Sequence, residues 1–321
     1  MLDKNIANDV IFEALKLGAD FCDIFVEKSQ VESISMNSSK VKDLKTGIDF
    51  GVGVRLIYGT KALYGYTNSI DKEELIQLTR VLAEKYKKET QGIPAFHFQT
   101  KNFHQVDVVK DLDVSLSEKI AKLHELDKKT REQSEFINQV NLSLNLRKQD
   151  VEIFDSEGLY LTDHRPYCRI STTAIAKEGS NQSTGTWSPG VRGGYEFVTG
   201  IDTDWMSDYV AKQAINTLRA KPCPAGKMPV VIDNGFGGVI FHEACGHSLE
   251  TTSVEKKASE FWDKKGEKIA HECLTAVDDG TIDKLWGSIS VDDEGMETQK
   301  TELIKDGILT NFMCDRLGEL K

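Results

Sequence analysis

Val230-Val231-Ile232-Asp233-Asn234-Gly235-Phe236-Gly237-Gly238-Val239-Ile240-Phe241-His242-Glu243-Ala244-Cys245-Gly246-His247-Ser248-Leu249-Glu250 is the stretch on which the reading of this chain turns. Residues 230–233 read as a short buried strand, 234–238 as a tight glycine turn, and 239–249 as a helix. That helix carries two imidazoles and a carboxylate. A neutral imidazole is a good zinc ligand, and a glutamate beside the first histidine is placed to act as general base toward a water at the metal. The spacing departs from the four-residue interval that puts two histidines on one helix face. His242 and His247 are five apart, which in an ideal α-helix turns them about 140° from each other. They converge on one ion only if the helix is widened by i→i+5 bonding or ends near Gly246. The sharp reading is a zinc site of His242 and His247 with Glu243 as catalytic base. The plain reading is two incidental histidines on a core helix.

Composition bounds the alternatives. The chain has 321 residues, 39 % of them hydrophobic and 28 % charged, which describes a globular protein long enough for two domains. A formal net charge of -11 argues against nucleic acid or an anionic membrane as partner, since both call for clustered Lys and Arg. No stretch approaches a membrane span, and 1–18 reads as an amphipathic helix closed by Gly18 and not as a signal peptide. The six cysteines, at 22, 168, 223, 245, 273 and 314, show no paired spacing, so a reducing cytoplasm is the natural compartment.

The string 234–250 closely resembles the signature of the TldD/PmbA family of zinc peptidases. Similar matches flank it. Val277-Asp-Asp-Gly-Thr281, Gly287-Ser288, Val291-Asp-Asp-Glu-Gly295 and Leu303-Ile-Lys-Asp-Gly-Ile-Leu309 resemble that family's central region. Gly51-Val-Gly-Val-Arg55, Gly65-Tyr-Thr-Asn68 and Phe154-Asp-Ser-Glu-Gly158 resemble its amino-terminal region. The resemblance runs along essentially the whole chain. It implies a peptidase acting on unstructured peptides or partly unfolded proteins, with zinc as cofactor. It also implies assembly as a homo- or heterodimer with a related subunit. Members of the family continue past the position of Lys321, and the cysteine held to be their third zinc ligand lies there. The chain is therefore expected to be a fragment whose site is short of ligands. Its alternative function is that of a non-catalytic, peptide-binding or regulatory subunit of the same kind of complex.

The expected fold is α+β in two domains. Residues 1–221 form a mixed helix and antiparallel-sheet domain, and 222–321 begin a β-rich metallopeptidase domain that carries the histidine helix. The break falls at Pro222, Pro224 and Gly226. Strands are expected at 20–27, 32–37 and 49–58. A helix opens at Asp71 and runs to about Lys87, and another opens at the capping box Ser115-Leu-Ser-Glu118. A meander follows over 136–173, with turns at Lys148-Gln149 and Glu157-Gly158. Residues 178–194 are expected to be a loop covering a site, 205–218 a helix, and 287–320 strands with an unpaired edge or an exposed apolar face.

Several further residues are weighed at this level. Gly235 to Gly238 also suggests a phosphate-binding turn, but no Lys-Ser/Thr pair follows. Cys245 reads as a small packed residue in preference to a thiolate ligand. Glu250 and Glu260 are equal candidates for a carboxylate ligand. Asp278-Asp279 and Asp292-Asp293-Glu294 read as turn formers, with a minority role in orienting the imidazoles. His271 is read as a surface or core residue.

Overall fold

The computed structural model describes residues 1–86, 90, 92–93 and 96–321. Helix α1 (Lys4–Lys16) starts where the Asp3 carboxylate accepts the Asn5 amide, and it buries Ala7, Val10, Ile11 and Ala14. These positions lie one helical turn apart, so they form a single apolar stripe. Gly18, at φ +86°, then turns the chain into β1 (Phe21–Asn37). Strands β2 (Lys40–Tyr58) and β3 (Lys61–Thr67) follow, and then helix α2 (Lys72–Ala83). Asp71 caps α2 by accepting the Glu74 amide. The expected end of that helix near Lys87 lies outside the described residues.

After β4 (Gln99–Thr100) comes α3 (Leu116–Glu132), opened by the Ser115/Glu118 capping box. Two long strands follow, β5 (Ile137–Asp155) and β6 (Leu159–Glu178), and then β7 (Asn181–Trp187) and β8 (Gly190–Arg192). Two helices complete this part, α4 (Glu196–Thr199) and α5 (Thr203–Leu218). Among the described residues these strands make one eight-stranded sheet ordered β3-β2-β1-β5-β6-β4, with β7 and β8 also paired to β6. Every pairing except the short β4–β6 contact is antiparallel. The molecule is α+β, as expected.

Three expectations about the large sheet are corrected. The separate strands expected at 20–27 and 32–37 are one strand, because β2 pairs β1 from Phe21 to Asn37 and β5 pairs it from Asp23 to Asn37. Neighbours on both sides hold the polar middle of β1 extended despite its weak intrinsic preference. For the same reason Lys148-Gln149 is not a turn. Lys148 pairs with Gln30 and Pro166, and Gln149 with Ser29 and Arg165. The expected turn at Glu157-Gly158 is present: Asp155 Oδ1 accepts the Glu157 and Leu159 amides, and Gly158 takes φ +93°. Third, 178–194 is no covering loop, since β7 and β8 within it occupy the outer edge of β6. Gly185 lets α5 press on β7, for a Cβ there would meet the Val210 carbonyl at 2.1 Å.

Two apolar layers stabilise the sheet. One lies under α3 and α5 and includes Ile34, Leu123, Leu144, Ile170 and Met206. The other lies under α1 and α2 and includes Val10, Ile24, Val54, Leu56 and Leu75. A smaller three-stranded sheet follows the histidine segment, ordered β11 (Ile308–Leu309), β10 (Lys300–Lys305), β9 (Ala276–Asp279). Of the strands expected over 287–320, only those at 300–309 form. Residues 287–299 are irregular apart from a bridge between Val291 and Glu297, with Asp292 Oδ1 accepting the Glu294 and Met296 amides.

Candidate metal centre

The strand expected at 230–233 is absent, and Val231 is fully exposed (101 %). A β-branched run becomes a strand only beside another strand, and among the described residues none pairs with it. The glycine segment does lead into a helix, but one of changing pitch. Gly235–Gly238 is a 3₁₀ turn, Val239–Phe241 is α, His242–Gly246 is π, and His247–Leu249 is again 3₁₀. The backbone N–H of His247 donates to the carbonyl of His242, the i→i+5 bond that was one of the two arrangements the histidine spacing left open.

That widening brings the two rings onto a common side. Their centroids are 4.3 Å apart and their planes are inclined by 63°. His242, Glu243 and His247 each offer a ligand atom, and these atoms lie within 4.8 Å of one another. All three residues are exposed. On its other face the same segment is anchored: Phe241, Cys245 and Leu249 pack with Leu303, Ile304 and Leu309. Cys245 is thus a packed residue, as expected, and burial pushes its thiol up, away from the thiolate a ligand would need.

Glu250, which sequence reasoning could not separate from Glu260, bonds to a histidine. His247 Nδ1 lies 2.8 Å from Glu250 Oε1, a hydrogen bond that engages this nitrogen and leaves Nε2 as the ring's other possible ligand atom. The backbone around Glu250 is held in turn, because Thr251 N–H donates to the Met313 carbonyl and Met313 N–H to that of Leu249. The interval of three residues was a legible signal for this pair.

The acidic runs are not seen to bond the imidazoles, and Asp278-Asp279, expected as a turn, close strand β9. Asp279 accepts from Thr281 at a turn. Glu294 Oε1 accepts Arg55 Nη1 at 2.6 Å, and Asp293 Oδ1 accepts Arg165 Nη1 at 2.6 Å. Arg316 completes the first group: its amide donates to Glu294 and its guanidinium makes a bidentate pair with Glu157. Motifs far apart in sequence therefore meet in one charged cluster, which sequence reasoning missed. His271 is exposed and accepts the Cys273 amide.

Comparisons with known proteins bear on this arrangement. Residues 22–84 match the PmbA/TldA metallopeptidase domain 1, 110–221 its central domain, and 225–319 its C-terminal domain. The matches at 277–309, expected in the central region, thus fall in the C-terminal domain, and Phe154–Gly158, expected in the amino-terminal region, falls in the central one. The chain is 33 % identical to the metalloprotease TldD homolog of Haemophilus influenzae, over 93 % of this chain and 64 % of that protein. It is 30 % identical to the TldD homolog of Buchnera aphidicola subsp. Schizaphis graminum, over 99 % and 68 %. It therefore spans about two thirds of the length of these relatives. A 25 % identical relative from Saccharolobus solfataricus, matched over 95 % of this chain and 67 % of that protein, is named a zinc metalloprotease. Among solved structures, TldE of Thermococcus kodakarensis superposes with a TM-score of 0.75 at 16 % identity, covering 98 % of this chain and 71 % of that one. A Thermotoga maritima protein described as a candidate modulator of a DNA gyrase gives 0.80 at 17 %, over the same 98 % and 71 %. At such identities these two show a shared fold. No helix among the described residues is long and apolar enough to cross a membrane. Taken with the three matched domains, the identity to the TldD homologs shows that this chain belongs to the PmbA/TldD metallopeptidase family.

Proposed function

We propose that this chain is the zinc-dependent peptidase subunit of a TldD-type complex, with His242 and His247 as metal ligands and Glu243 as general base. The observation that carries this reading is the π-turn, which sets two imidazoles and one carboxylate within 4.8 Å on an exposed face. The donor set fits zinc: two imidazoles are available, and the Glu250 bond to Nδ1 of His247 leaves Nε2 as that ring's ligand atom. Zinc, when bound, supplies Lewis-acid polarisation of a peptide carbonyl and makes water more acidic. Glu243 accepts the proton of the attacking water and returns it to the leaving amine. Exposure of the site suits a substrate that reaches it as an extended chain, so unstructured peptides or partly unfolded proteins are the proposed substrates. The further ligand is proposed to be the cysteine that the family resemblance implies. The proposed partner is a related family subunit, and the likeness to TldE supports this. We also propose that 222–321 form the unit bearing the site and 1–221 the domain on which it rests.

The test is metal content and peptide cleavage of the complete, partnered protein. Glu243→Gln is expected to retain zinc while kcat/KM falls by about 10²–10⁴-fold, and His242→Ala and His247→Ala to lose zinc. A metal-free complex whose cleavage is indifferent to Glu243→Gln overturns the reading and leaves a peptide-binding subunit in its place.

A further inference from the structure

Arg316 takes no part in the proposed chemistry, yet contacts lead from it to the histidine turn. Glu250, the partner of His247, is extended (φ -77°, ψ 136°) between two helical turns, 247–249 and 251–254. Its side chain bonds to His247 and does not cap the second turn. A parallel bridge to Met313 holds this one extended residue, through the Thr251 and Met313 amides. The chain stays close beyond the bridge, for a Cβ at Gly318 would meet that of Thr251 at 2.6 Å. Between these two contacts stands Arg316.

Arg316 is fixed to the body of the molecule from three directions. Its amide donates to Glu294 Oε2 at 2.9 Å, and its two Nη atoms donate to the Glu157 carboxylate at 2.8 Å each. Its Cζ lies 3.9 Å from the centroid of the buried Phe21 ring. The two glutamates project from loops of one design. In Asp155-Ser156-Glu157-Gly158 and in Asp292-Asp293-Glu294-Gly295 the first aspartate accepts the amides two and four residues on. The glycine that closes each loop has positive φ, +93° and +77°. Glu294 is shared, because its Oε1 accepts Arg55 Nη1 while Arg55 Nε donates to Asp23. Each matched family domain supplies part of this group: Asp23 and Arg55 lie in the first, Glu157 in the second, Glu294 and Arg316 in the third. An isolated ion pair at this exposure contributes little. A bidentate pair inside a network of two guanidiniums and three carboxylates, backed by an aromatic ring, is the arrangement that does fix a side chain.

We infer that Arg316 is a positioning residue for the candidate metal centre. By fastening 313–316 to the large sheet it keeps Met313 beside Glu250, and so keeps the Glu250 carboxylate on Nδ1 of His247. The orientation of a ring in the third domain thus depends on carboxylates from all three. The metal role rests on the peptidase reading, whereas the contact between His247 and Glu250 is measurable in metal-free protein.

The experiment uses the complete, partnered protein and two readouts, the 15N tautomer signature of His247 without metal and the zinc dissociation constant. In Arg316→Ala the tautomer signature should shift as it does in Glu250→Ala. Zinc affinity should fall at least about threefold, within the roughly 10-fold expected for losing Glu250 itself. On a Glu250→Ala background Arg316→Ala should add nothing to either readout, because a residue that acts through another is not additive with it. Arg316→Lys, which retains a cation beside Glu157, should recover part of the loss. Glu157→Ala cuts the same link from the other side and should reproduce its direction if Arg316→Ala fails to fold. Leu123→Ala, a truncation in the core under α3, should lower the melting temperature and leave both readouts as in wild type. Losses that add in the double variant, or an Arg316→Ala protein with the wild-type tautomer signature and zinc affinity, overturn the inference. So does an equal effect of Leu123→Ala, which makes the charged group a staple for stability alone. If the wild-type protein takes up no zinc the peptidase reading falls, and the tautomer readout by itself decides this inference.

Discussion

At the scale of single residues, the position of one proton matters most for the proposed site. With Nδ1 of His247 as the donor to Glu250, Nε2 is the nitrogen proposed for the metal. Removing the carboxylate by Glu250→Ala lets the ring sample both tautomers. Zinc affinity of the complete protein should fall about 10-fold, the low end expected for losing such a partner. The melting temperature should barely move, because this hydrogen-bonded pair is half-exposed and such pairs contribute little to stability. Unchanged zinc affinity, or no change in the 15N tautomer signature of His247, counts against the positioning role. Whereas Glu250 was not separable from Glu260 in the sequence, the neighbourhood of His242, Glu243 and His247 was legible there because it spans six consecutive residues. Local pitch alone decides which of these side chains meet.

At the scale of elements, the caps at Asp71 and Ser115 were read correctly because they depend on residues within one turn. Strand lengths were not, since pairing is a property of neighbours remote in sequence. The contact between α3 and α5 shows such remote coupling. Glu125 Oε1 accepts the Thr203 hydroxyl at 2.7 Å, and Lys129 sits between Glu125 and Asp204. The Thr203 hydrogen bond, aided by Lys129 and Lys122, lowers the Glu125 carboxyl from 4.5 to about 2. The folded pKa lies below the ordinary value, so this stabilisation is complete above about pH 4.5 and is lost as pH falls through about 2. Glu125→Gln is therefore expected to flatten the acid limb of the stability curve over that window. The change should be only about 0.5 kcal/mol, because solvent screens a pair this exposed. Urea midpoints measured at pH 7, 4 and 2.5 check this: an unaltered slope for Glu125→Gln contradicts it.

At the scale of the whole molecule, the charged groups that fasten 288–294 to the large sheet carry the largest expected effect. Arg165 Nε donates to Asp163, Nη1 to Asp293 and Nη2 to the Val291 carbonyl. Arg192, only 1 % exposed, donates to the Ser288 carbonyl and the Ser290 hydroxyl. Asp163 is buried with them, its Oδ1 3.6 Å from Arg192 Nη2. Arg165→Ala leaves a buried carboxylate without its closest countercharge and should cost about 3–5 kcal/mol. Limited proteolysis should then cut 288–296 first. A loss below about 1 kcal/mol in the denaturant midpoint means that water or Arg192 satisfies Asp163 alone.

What the sequence by itself determined is local or compositional: the amino-terminal helices and their caps, the glycine turn before the histidines, and the choice between an i→i+5 bond and a helix end near Gly246. Each follows from residues a few positions apart, whose geometry the backbone fixes without outside help. Only the tertiary structure decided that β1 and β5 run unbroken, that 178–194 contributes strands, and that Val230-Val231-Ile232 stays exposed. The reason is the same in each case, because a strand exists by virtue of the strands beside it. The meeting of Arg55 with Glu294, 239 residues apart, belongs to the same class. Charge and motif named the residues, but long-range packing alone chose their partners.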